Sequence, residues 1–216
     1  MPDYSGIDWD QDVPTYNELR VAYAQSVIRA RPLDTRIRRV VDHFNDDRTS
    51  ARAAAAQFDV IDLDPALLFY LQRNRLPETT FFWSLFGSLD LLECVPEVGA
   101  LRWNPLTFND TYEGREIGPG QGMKLVNGWE AMASLASWLS NGAVQFDGPK
   151  PTDRETLRLT LGVAKAAFSG ELKHTTSYRS FAPWSDWFDW EGFDMTLALV
   201  DRKVGRITVL MLTDGP

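Results

Sequence analysis

The chain has 216 residues, 44% of them apolar, with a single cysteine and a formal net charge of −8. That length supports a sizeable core in one compact unit. The lone thiol, Cys94, excludes an intramolecular disulfide framework and a cysteine-ligated zinc site, and the negative charge works against phosphate-backbone binding over the surface at large.

The N-terminus, MPDYSGIDWDQD, is acidic where a secretory leader is basic and then greasy. No apolar stretch approaches the roughly 20 residues that a membrane span needs, so a cytoplasmic protein with no membrane partner is expected. Arginine far outnumbers lysine and alanine is abundant, a bias typical of coding from a GC-rich bacterial genome.

Thr15 and Glu18 have capping-box spacing, and Leu19, Tyr23 and Val27 follow at fours, which predicts a helix over about 15–30. Pro32 stops it. Asp34 is placed to cap a second helix that puts Ile37, Val40, Val41 and Phe44 on one face, and NDDRTS closes that helix. SARAAAAQF is expected to be a short alanine-rich helix. Asp64 and Pro65 then open ALLFYLQRNR as a helix, and ETTFFWSLFGSLDLLE after Pro77 is apolar on nearly every side, as a central element is.

Between about 95 and 126, proline and glycine break the chain into short extended pieces such as ALRW and TYEGREI. WEAMASLASWLS returns to helical spacing, with Trp129, Met132, Leu135, Ala136 and Leu139 on one side, and Asn141-Gly142 ends it. VQF has the composition of a short strand. Thr152 and Glu155 repeat the capping-box spacing ahead of TLRLTLGVAKAAF, favouring helix over the strand that its alternation also permits. FDMTLALV and RITVLMLT, joined by DRKVG, form the clearest hairpin signal in the chain. The expected class is α+β in a single domain over 1–216: a helical part at about 15–93, then a mixed part at about 94–216 with a small, mainly antiparallel sheet ending in that hairpin.

Catalytic signatures are scarce. GPGQG at 118–122 lacks the spacing of a phosphate-binding loop and has the composition of a turn. His43 and Asp47 lie one helical turn apart, but two groups do not make a metal site, and no metal or other cofactor is expected. His174 lies among hydroxyls without a nucleophile motif beside it. Arg29, Arg31, Arg36, Arg38, Arg39, Arg48 and Arg52 form one locally basic stretch, yet Asp34, Asp42, Asp46 and Asp47 interleave with it as on a solvated helix face, which argues against nucleic-acid contact.

The segment FAPWSDWFDWEGFD at 181–194 stands out. Trp184, Trp187 and Trp190 recur at threes, with Asp186, Asp189 and Glu191 between them. Two arrangements fit: a tryptophan plug over the sheet, or a surface whose rings anchor a basic protein while its acids steer it. The leading functional expectation is a non-enzymatic bacterial protein-binding protein, such as an immunity-type inhibitor of a toxin, using Trp184, Asp186, Trp187, Asp189, Trp190 and Glu191. The alternatives are an enzyme or small-ligand binder with Asp186, Asp189 or His174 as acid–base group, and phosphate contact through the arginines of 29–52.

Overall fold

In the computed structural model, the described residues are Val21, 27–47, 51–62, 111–112, 115–116, 123–141, 151–169, 175–181, 187–188, 193–201 and 203–214. They form eight strands and three helices. In chain order these are β1 (Val27–Arg31), α1 (Thr35–Asp47), β2 (Ala51–Asp62), β3 (Thr111–Tyr112), β4 (Arg115–Glu116), β5 (Lys124–Val126), α2 (Gly128–Asn141), α3 (Asp153–Ala167), β6 (Thr175–Ser180), β7 (Phe193–Asp201) and β8 (Arg206–Asp214). A six-stranded sheet has the order β1-β2-β8-β7-β6-β5, every neighbour antiparallel; β3 and β4 make a separate two-stranded ribbon. The class is α+β, with the C-terminal hairpin at the centre of the sheet. No helix among the described residues is long and apolar enough to cross a membrane.

Two sequence expectations are overturned. Residues 27–31, expected to end a helix, are strand β1, in which Val27, Arg29 and Arg31 alternate with Ile28 and Ala30 and pair with β2. Within SARAAAAQF, Ala51 to Phe58 are strand rather than helix: β2 pairs with β1 on one side and β8 on the other. Alanine's helix preference is a fraction of a kcal/mol per residue and yields to the backbone ladder with β8, which covers all the alanines, and to that with β1, which covers Gln57–Asp62. Small side chains are also what the site requires, because α1 packs directly on β2. Where β1 has ended, the Asn45 side chain of α1 takes its place, accepting from Ala53 N at 2.7 Å and donating to Ala53 O at 3.2 Å.

Other local readings hold. The Asp34 carboxylate caps α1, accepting from Arg36 N at 2.9 Å, and Ile37, Val40, Val41 and Phe44 are all buried. Its second oxygen accepts from Arg36 Nη2 at 2.6 Å, and this guanidinium holds the Asp34 carboxyl down at about 2. Thr152 caps α3, its Oγ1 accepting from Glu155 N at 3.3 Å. The expected helices and strand at 63–93 and 144–146, and Cys94, GPGQG and His174, lie outside the described residues.

All three helices contribute to the core on one sheet face, where Met195, Leu197, Leu199, Leu210 and Leu212 meet Phe44, Leu135, Leu139, Leu159 and Val163. The opposite face, carrying Phe58, Tyr178, Ala198, Val200, Val209 and Met211, is equally buried. Buried Gln57 is partnered on both sides, accepting from Asp34 N at 2.8 Å and donating to Thr208 Oγ1 at 3.0 Å. Buried Asp201 fixes the β7–β8 turn, its Oδ1 accepting from Lys203 N at 2.9 Å, and ties in the end of α3 by accepting from Ser169 N through Oδ2.

Candidate docking face on the helical hairpin

Helices α2 and α3 run antiparallel. Asn127 starts α2, its side-chain oxygen accepting from Glu130 N at 2.8 Å, and Ser140 Oγ at the far end lies 3.4 Å from Thr156 Oγ1 near the start of α3. Ala131, Met132, Leu135 and Leu139 bury one face of α2; Leu159, Val163, Ala166 and Ala167 bury one face of α3. Strand β6 holds the pair in place through Arg179, which donates to Ser134 Oγ at 2.6 Å and pairs with Glu130 at 3.1 Å.

The outward side of this hairpin is apolar. Trp129, expected on the buried side of α2, is 72% exposed; Leu157 is 59% and Leu161 45% exposed on α3. At roughly 100° per residue, Trp129 lies about a quarter turn round α2 from the centre of the buried stripe of Ala131, Met132, Leu135 and Leu139, so it stands beside that stripe rather than in it. Between the helices lies a cleft of about 370 Å³, lined by Trp129, Met132, Ala136, Leu157, Leu161 and Phe168 among others. Alanines at 133, 136 and 164 leave the room for it. Among the described residues its only ionisable lining group is Lys165, and the remaining lining is almost wholly apolar.

Of the sequence-predicted site residues, Trp184, Asp186, Asp189, Trp190 and Glu191 lie outside the described residues. Trp187 is half-buried: the Arg52 guanidinium stands 5.8 Å from its ring centre, and its ring meets that of buried Phe188 edge-on at 5.1 Å. Arg52 alternates along β2 with Ala54 and Ala56, so this contact belongs to the sheet face opposite the helices. Phe181 is 55% exposed, with the Arg179 guanidinium 4.8 Å from its ring centre. The same guanidinium therefore bridges the start of the aromatic segment and Glu130, the neighbour of Trp129.

No family model matches the chain, and neither does any curated protein. Among solved structures, a crystal structure of citrus MAF1 is similar over 84% of this chain and 99% of that one, at 13% identity and a TM-score of 0.38, a likeness too slight to carry an argument.

The remaining candidates are dispersed. His43 is half-buried on α1, its ring 6.2 Å from that of Phe44, and no group of three or more His, Cys, Asp or Glu able to hold a metal occurs among the described residues. Of the arginines of 29–52, Arg48 lies outside the described residues and the others divide among β1, α1 and β2. Arg31 pairs with Asp59 at 3.0 Å and Arg36 with Asp34, so two of them are already neutralised. Asp59 also lies 3.6 Å from Arg206, and strand register sets Arg29, Asp59, Arg206 and Asp201 in one row of alternating sign across four strands. That row is an internal charge ladder.

Proposed function

We propose that the protein works by binding another protein, and that the outer face of the α2–α3 hairpin is its docking surface. The observation that carries this reading is the exposure of Trp129, Leu157 and Leu161 together around one cleft. Contiguous exposed apolar surface with a tryptophan at its edge is what interfaces use for anchoring. The net charge of −8 adds long-range attraction for a basic partner. An immunity-type inhibitor of a toxin, acting in the bacterial cytoplasm, is the role that best suits this combination. Phe181, tied through Arg179 to the start of α2, extends the surface, and the acids that follow it in sequence, Asp186, Asp189 and Glu191, are the proposed steering charges.

The test is co-purification of the tagged protein with a candidate toxin encoded beside it. A stoichiometric complex with the wild type, lost in a Trp129→Ala, Leu161→Glu double variant of unchanged thermal stability, is the expected result. Undiminished complex with the double variant overturns the assignment of the face. Charge reversal at Asp186 and Asp189 is expected to slow association without abolishing it, since rim charges act on encounter rate.

A further inference from the structure

The exposed side of α3 has an order of its own. Asp153, Leu157, Leu161 and Lys165 follow one another at four-residue steps, and all four are exposed. Residues at this spacing form a continuous ridge on a helix, and pairing of such ridges is the commonest mode of helix packing. The ridge reads acid, leucine, leucine, base. It is therefore complementary to itself when reversed: in a two-fold antiparallel pairing centred at residue 159, Leu157 stands level with Leu161 of a second copy, and Asp153 level with Lys165.

We propose that the resident occupant of this ridge is a second copy of the chain, held by α3 against α3 about a two-fold axis. The inference rests on the reading of this face as a protein-docking surface and names what covers it when no other partner is bound. Charge complementarity supplies the direction of the pairing. Neither Asp153 nor Lys165 has an ion-pair partner among the described residues, whereas Glu155 pairs with Arg158 at 3.4 Å and Glu130 with Arg179 at 3.1 Å. Asp153 and Lys165 are the two charges on the ridge itself, and they are the two that the reversed copy would match; Arg154 lies off the ridge. A parallel arrangement places Asp153 on Asp153 and Lys165 on Lys165, so only the antiparallel one is favourable. Trp129, at the edge of the cleft beside Lys165, then flanks the pair and shields it from water.

Sedimentation velocity on the full chain tests the proposal by charge exchange. The wild type is expected to show a concentration-dependent dimer. Asp153→Lys alone and Lys165→Glu alone each set like charges opposite one another and are expected to weaken the dimer by roughly tenfold or more. An equimolar mixture of the two single variants regains two opposite-charge contacts and is expected to form a one-to-one heterodimer, and the double variant D153K/K165E is expected to dimerise like the wild type. Both substitutions are at exposed positions, so circular dichroism should show an unchanged fold in all three variants. A wild type that remains monomeric at high micromolar concentration, or a mixture no more associated than its components, overturns the proposal. Either result leaves complex formation with a toxin, and its loss in the Trp129→Ala, Leu161→Glu variant, as the separate test of the docking face.

Discussion

The central sheet and the helical hairpin use the same kind of residue to opposite ends. On the sheet, Leu197, Leu199, Leu210 and Met211 are wholly buried; on the hairpin, Trp129, Leu157 and Leu161 stand in solvent. Helix α3 shows both behaviours within fifteen residues, since Leu159 lies in the core and Leu157 and Leu161 flank it in sequence on the outer side. Apolar character alone therefore does not mark the core. What marks it is periodicity matched to the partner: one stripe of α3 meets the sheet, and a second stripe has been kept apolar without any such partner. The core formed by the described residues does not account for that second stripe; the proposed docking role does.

The contrast can be broken most severely from the sheet side. Phe44 of α1 is fully buried against β2 and β8, and Phe44→Ala is expected to cost about 3–5 kcal/mol, lowering the midpoint of chemical denaturation with little change in its slope. The turn between β7 and β8 is the next most sensitive point. Gly205 has φ +63°, and an added Cβ would meet Val60 O at 2.9 Å, while Val60 N already donates to Gly205 O. Gly205→Ala is therefore expected to destabilise by about 1–3 kcal/mol, read by the same denaturation experiment. On the hairpin the caps matter instead. Thr152→Ala removes the acceptor for Glu155 N and is expected to cost about 1 kcal/mol, fraying the start of α3 and with it the Asp153 end of the ridge.

How far the sequence reveals this division depends on how local the cause is. The caps at Asp34 and Thr152, the buried stripe of α1 and the C-terminal hairpin are set by residues within a few positions of one another, and each is readable. The strand at Ala51–Asp62 is not, because its partner β8 lies some 150 residues away, as the Gln57–Thr208 bond shows. Four alanines in a row favour helix by themselves and sheet only when a distant strand, here β8, supplies the ladder. The candidate site divides in the same way. The spacing of Trp129 suggested burial, and only the relation of α2 to α3 turns it outward. The stripe of Leu157 and Leu161 was hidden inside TLRLTLGV, where it looks like strand alternation. Phe188 and Trp187 pack by the sheet face opposite the helices, so at these two positions the aromatic segment serves the fold through rings that composition alone singled out for binding.

A pH experiment sharpens the account of α1. The Asp34 carboxyl is held from its ordinary 3.8 to about 2 chiefly by the side-chain hydrogen bond from Arg36. A folded pKa below the unfolded one contributes stability that is fully present above about pH 4 and is lost as pH falls through about 2. Asp34→Asn keeps an N-cap oxygen but removes this linkage. Its stability is expected to fall less steeply than that of the wild type between pH 4 and 2, as measured by urea denaturation across that range.

The smallest expected effect on stability is the most informative about the comparison. If Leu161 is exposed because something other than the core requires it, then Leu161→Glu removes no packing from the folded chain, and stability should change by no more than about 0.5 kcal/mol. The same substitution in a core position such as Leu159 puts an unpaired carboxylate among Phe44, Val163 and their neighbours and should prevent folding. Thermal denaturation of the two variants side by side measures the difference directly. A Leu161→Glu variant that unfolded as readily as Leu159→Glu would mean that the outer stripe is part of the core after all, and the docking face would lose its basis; equal stability to the wild type, with loss of partner or self-association, assigns the stripe to binding alone.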